Sequence, residues 1–234
     1  MEEKIYYVYA YIRLDTNTYF YIGKGKDNRY LRLDNRKQHF MNIVNKSNAQ
    51  GAAIYADRYV FQFDAEKNVG GYMSVVDINN MEVVSEFALN LGAECHGNNI
   101  CFGKKYSVDD TFPTLYISEG DSINERFRCF VLRLANDLST FTIVQTIEFV
   151  GERYESSRQR DWIVDAENNL LYTYSKNGIN QETELLQFGL PSLDNSNIEL
   201  SDSDIKDSGI VYEFINQGCC IINGKFYFAF IKKN

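Results

Sequence analysis

Residues 54–63, IYADRYVFQF, run into 71–87, GYMSVVDINNMEVVSEF, and this pairing decides the fold. Aromatic and β-branched residues cluster in short runs, and Ala56-Asp57, Gly70-Gly71 and Asn79-Asn80 interrupt them where the chain must turn. The pattern recurs downstream. TLYISEG (114–120) precedes FRCFVLRLANDLSTFTIVQTIEF (127–149), and NNLLYTYSK (168–176) is echoed by NGKFYFAFI (223–231). In the first two units one strand runs into Asp-Ile-Asn-Asn or Leu-Ala-Asn-Asp and a second β-rich run answers it.

Further short runs fill the intervals. They predict strands near Asn99 to Phe102, Trp162 to Asp165, Glu184 to Phe188, Ile198 to Leu200, Ile210 to Ile215 and Cys219 to Ile222. The spacing of comparable points, about 45 to 55 residues, falls in the range of blade-like repeats. Residues 50–231 thus resemble a β-propeller in architecture, without a WD or kelch signature; the rival arrangement is a β-sandwich. The run supplies about three and a half units and stops at Phe226 to Lys232 inside one, so the sequence predicts a partial propeller of about four blades.

Upstream the texture differs. Ile5 to Ile12 and Thr18 to Ile22 read as a hairpin around a polar loop, and Asp27 or Asn28 caps a predicted helix towards Lys46. Ser47 to Gly51, small and polar, reads as a boundary. The expected organisation is mainly β: a small β-β-α element over 1–47, then a propeller-like domain over 48–234.

Composition bounds the function. The 234 residues are 44% hydrophobic and 15% aromatic, enough for a substantial core. No apolar run reaches membrane-spanning length, and MEEKIYYVYAYIRLD lacks the basic-then-apolar order of a signal peptide. A soluble cytoplasmic protein with no membrane partner is the expectation. Five cysteines without regular spacing read as reduced thiols. Residues 1–46 carry nine basic against five acidic side chains, while 47–234 carry fifteen against twenty-seven. The opening segment suits a phosphate backbone; the acidic remainder suits a protein, a cation or a small ligand.

Tyr7-Val8-Tyr9, then Tyr21-Ile22-Gly23, then Lys24-Gly25-Lys26-Asp27-Asn28-Arg29 resemble the opening of a GIY-YIG nuclease domain. The resemblance covers residues 5–46 and implies cleavage of a DNA phosphodiester with a divalent metal such as magnesium. It would make Tyr9 an activator of the attacking water, Tyr21 an orienting group and Arg29 a cationic stabiliser of the phosphate. Lys24, Lys26, Arg32 and Arg36 would hold flanking phosphates. The sequence departs from the family where its metal-binding glutamate belongs. Glu66 is the next glutamate downstream, in a loop of the following domain, and the metal site stays unassigned.

Weaker candidates are Cys95-His96 as a thiol–imidazole pair, and Asp109-Asp110 or Asp202, Asp204 and Asp207 as calcium ligands. Each reads better as core or solvated loop. Three functions compete: an interaction or ligand-binding module with an inactive nuclease-like segment, a metal-dependent endonuclease targeted by the propeller, and a lactonase-type propeller hydrolase with an axial metal.

Overall fold

The computed structural model describes residues 6–13, 18–26, 49–64, 70–80, 82–92, 95, 97, 99–120, 127–153, 161–211, 215–222 and 224–231. The chain forms two compact units, Met1–Lys46 and Ser47–Asn234. In the first, β1 (Tyr6–Arg13) and β2 (Thr18–Lys26) pair as an antiparallel hairpin with an irregularity at Tyr11/Ile12. The predicted helix over 27–46 lies outside the described residues.

The second unit is mainly β, in four sheets. The first is a meander of β3 (Ala49–Tyr55), β4 (Tyr59–Asp64), β5 (Tyr72–Asp77) and β6 (Glu82–Ala88). The second places β7 (Ile100–Phe102), β8 (Leu115–Ser118), β9 (Cys129–Leu134) and β10 (Phe141–Phe149) side by side. The third is β11 (Trp162–Asp165), β12 (Leu170–Lys176), β13 (Thr183–Gly189) and, beyond a detour, β15 (Asp207–Val211). On that detour β14 (Asn197–Leu200) joins the second sheet, parallel to β10. The fourth pairs β16 (Ile215–Ile222) with β17 (Lys225–Ile231).

One expectation needs correction. Ser47 to Gly51 is not all linker, because Ala49–Gly51 belongs to β3 and pairs with the far end of β4. Small residues there serve a strand whose ladder, rather than its composition, fixes the conformation. At the two ends of the predicted strand over 210–215, β15 ends at Val211 and β16 begins at Ile215; residues 212–214 lie outside the described residues.

Period-two alternation explains how the sheets stack. In β8, Leu115 and Ile117 join a cluster with Phe61, Phe63, Met73 and Val75 of the first sheet. Tyr116, between them, points the other way, into a cluster with Trp162, Leu171 and Phe188 of the third. Strand β9 divides likewise: Phe130 and Leu132 face the first sheet, Cys129 and Val131 the third. Ile163 and Tyr172 then meet Cys219 of the fourth. The second and third sheets are therefore apolar on both faces, which is why β9 reads as the near-continuous apolar run CFVLRL.

The first strands of the four sheets are neighbours in cyclic order. β3 lies beside β7, β7 beside β11, β11 beside β16, and β16 beside β3. Two glycines, one before β5 and one before β7, close on a single ring. Gly71 (φ 92°) and Gly97 (φ 56°) both lie against the Phe63 ring, where an added Cβ would come within 2.4 and 2.3 Å of ring carbons.

Phe61 is fully buried and meets Phe102 and Phe112 edge to face, with centroids 5.2 and 5.8 Å away. Phe61→Ala is expected to cost about 3–5 kcal/mol through lost transfer energy and the cavity left behind. A urea titration should show the midpoint falling; an unchanged midpoint would contradict this packing.

Candidate functional site

Where the first strands converge, the polar groups need partners because water is excluded. Asn99, 5% exposed and immediately before β7, supplies several. Its Nδ2 donates to the Trp162 carbonyl at 2.8 Å, and its Oδ1 accepts from the Cys219 N–H at 3.1 Å. Its own carbonyl accepts from the Ser118 N–H at 2.9 Å. One side chain thus joins the second, third and fourth sheets. Trp162, 1% exposed, has its backbone N–H on Ser118 Oγ at 2.8 Å and its indole N–H on the Phe127 carbonyl at 2.8 Å. Beside it Asp161 is fully buried, its carboxylate accepting from the Tyr174 hydroxyl at 3.2 Å and its carbonyl from Thr173 Oγ1 at 3.1 Å.

Three buried carboxylates elsewhere, Asp77, Asp110 and Glu119, are paired with arginine. Arg128 forms a two-point bond to Glu119 at 2.6 and 2.7 Å. Arg58 meets Asp77 at 2.7 and 2.9 Å. Arg133 holds Asp110 at 2.7 and 3.1 Å while its guanidinium sits 5.0 Å from the Tyr106 ring centre. These arginine hydrogen bonds are the main cause of depressed carboxyl pKa values at Asp77 and Asp110. The thiols go the other way. Burial pushes Cys101 up to about 12 and Cys129 well above its ordinary value, so neither is poised as a nucleophile at neutral pH.

Of the residues singled out by sequence, Tyr9, Tyr21, Lys24 and Lys26 lie on the hairpin. Tyr9 pairs with Gly23 and Tyr11 with Tyr21, so positions 9 and 21 share a face one cross-strand step apart. Lys24 pairs with Val8 and Lys26 with Tyr6, which places both within β2 rather than in the loop after it. Arg29, Arg32 and Arg36 lie outside the described residues, as do Glu66 and His96. Cys95 is buried, without its proposed histidine among the described residues. Asp110, read as a solvated loop residue, is instead buried and paired with Arg133. Asp204 caps its own 3-10 turn, its carboxylate accepting from Ser201 N and Oγ at 2.8 and 2.7 Å.

Sequence reasoning missed Asn99 as the joint of three sheets and Arg133 as the partner of Asp110. Asn99 carried a signal, standing in a polar cluster before a strand, but its partners lie 63 and 120 residues away. Among the described residues no group of three or more His, Cys, Asp or Glu side chains is placed to hold a metal ion. No described helix is long and apolar enough to cross a membrane. No protein-family model matches the chain, and no curated protein matches it.

Two measurements test this electrostatic picture. Because Asp110 has a folded pKa below its ordinary 3.8, its contribution is present above that value and lost as pH falls through the folded value. Stability should therefore decline with acidification below about pH 4, and Asp110→Asn should flatten that limb of the stability–pH curve. Thiol titration at pH 8 in the native state should leave the fully buried Cys129 unmodified until denaturant is added. Fast native-state labelling of Cys129 would contradict its burial.

Proposed function

We propose that residues 48–234 form a four-bladed, propeller-like ring that acts as an interaction or ligand-binding module, joined to a GIY-YIG-like segment without catalytic function. The observation that carries the ring is the cyclic order of the first strands, β3–β7–β11–β16–β3. A sandwich of two facing sheets has no reason to bring one strand from each of four sheets together. Starts of the four sheets at Ala49, Ile100, Trp162 and Ile215 follow at 51, 62 and 53 residues, as repeated units would.

Binding is favoured over catalysis because the groups able to do chemistry are occupied. Asn99 spends both ends of its amide on backbone, Asp110 and Glu119 are held by arginine, and Cys101 and Cys129 are protonated by burial. Such groups hold strands in register. Recognition then falls to loops at the ends of the sheets.

One observation favours the nuclease reading: the hairpin register brings positions 9 and 21 to one face. In that reading Tyr9 activates water, Tyr21 orients it, Arg29 faces the phosphate, and Lys24, Lys26, Arg32 and Arg36 grip DNA. A divalent ion does not fit the described hairpin, whose strands YYVYAYIR and TYFYIGKGK contain no carboxylate. For the lactonase reading, no carboxylate cluster stands among the described residues on which to build.

Supercoiled plasmid incubated with the full chain and magnesium or manganese should remain uncut. Nicking that disappears in both Tyr9→Phe and Arg29→Ala would overturn the inactive assignment in favour of an endonuclease.

A further inference from the structure

We propose that Asn177-Gly178, in the turn between β12 and β13, is a covalent modification site: its asparagine converts to aspartate or isoaspartate without an enzyme, and the native fold withholds that reaction until the turn opens. This chemistry is independent of what the ring binds.

The chain contains two Asn-Gly pairs, Asn177-Gly178 and Asn223-Gly224. Glycine makes such a pair reactive because no side chain shields its main-chain nitrogen and its backbone reaches the conformations that attack requires. The Gly178 nitrogen attacks Asn177 Cγ, a new N–Cγ bond closes a succinimide ring, and the Cγ–Nδ2 bond breaks. The amide nitrogen leaves as ammonia with the proton that Gly178 gives up. Water from the solvent then opens the ring. Addition at Cγ leaves aspartate; addition at the main-chain carbonyl leaves isoaspartate, whose chain runs through Cγ.

The turn ties down each group in that step. Asn177 is 1% exposed, whereas Gly178 faces water. The Gly178 N–H donates to the Arg153 carbonyl at 3.0 Å, so the attacking nitrogen keeps its proton and is aimed at another segment. Asn177 Nδ2, the leaving group, donates to Glu184 Oε1 at 2.8 Å, and Oδ1 accepts from the Ile179 N–H at 2.9 Å. With both ends of its amide held, the side chain is not free to turn Cγ towards the nitrogen. The main chain is fixed as well: the Asn177 N–H donates to the Glu182 carbonyl at 2.8 Å, and its carbonyl accepts from the Gln181 N–H at 2.9 Å.

The hold on Gly178 comes from outside the turn. Arg153 lies on the connection between β10 and β11, and its own N–H donates to Asp202 Oδ2 at 3.0 Å. Asp202 opens the 3-10 turn Asp202–Asp204, on the excursion that carries β14 to the second sheet. The brake therefore sits where the second and third sheets meet. A local opening that parts Gly178 from Arg153 frees the nitrogen while the rest of the domain stays folded. The change is one-way. Aspartate puts a second carboxylate where an amide donor faced Glu184, and isoaspartate lengthens the main chain by a methylene, so neither product remakes the Asn177 contacts.

The test incubates the full chain at pH 8 in native buffer and in urea and follows both Asn-Gly pairs by peptide mass mapping, with aspartate and isoaspartate products separated by chromatography. In urea Asn177 and Asn223 should convert at comparable rates, and Gly178→Ala should slow conversion at Asn177. In native buffer Asn177 should convert at least about 10-fold more slowly than in urea, since only the open fraction reacts. Asp202→Ala should raise the native rate at Asn177 several-fold and leave the rate in urea unchanged. Hydrogen exchange on that variant should be faster at the Gly178 amide and unchanged along β9, which marks local release rather than unfolding. Equal rates in native buffer and urea would overturn the gate. A native rate that Asp202→Ala leaves unchanged would overturn the Arg153 contact as its brake, and no conversion in urea would overturn the site itself.

Discussion

A sheet that is apolar on both faces cannot end a structure; it must lie between two others. The second sheet of this protein is such a sheet. Leu115, Ile117, Phe130 and Leu132 on one face, with Tyr116, Cys129 and Val131 on the other, require a neighbour on each side. The third sheet repeats the condition, with Trp162 and Leu171 facing one way and Ile163 and Tyr172 the other. The first and fourth sheets meet those demands, which orders β3, β7, β11 and β16, and the contact of β16 with β3 makes that order cyclic.

Convergence of four strands creates the second constraint. Main-chain groups there are cut off from water, and each unpaired one would cost about 1–3 kcal/mol. Asn99 answers this with one amide that joins β11 and β16, while the Ser118 hydroxyl and the Phe127 carbonyl take the two N–H groups of Trp162. The paired arginines do the same for buried carboxylates farther out. Asp77, Asp110 and Glu119 each have a guanidinium within hydrogen-bonding distance, which offsets the cost of burying them. The chemistry of the interior is consumed by its architecture.

Much of the strand pattern was legible in the sequence because turns are written in local residues. Ala56-Asp57 adopts positive φ at the β3–β4 connection, and Asn136-Asp137 opens the turn before β10. The double-faced burial of β9 was legible too, as an unbroken apolar run. The parallel pairing of β14 with β10 was not, since the signal for a strand says nothing of its partner. Of Asp109-Asp110, the solvated-loop reading holds for the exposed Asp109 and fails for Asp110, because an aspartate in a polar loop looks solvated until Arg133, 23 residues on, is known to face it.

The sequence alone determined a mainly β chain, its strand positions and a local hairpin at the start, since period-two alternation and turn chemistry act within a few residues. Tertiary structure decided which sheets stack and which side chain joins three of them, because those contacts bring together residues up to 120 positions apart. No local preference specifies such a pairing; it is fixed by the shared need to exclude water and satisfy the buried polar groups left behind.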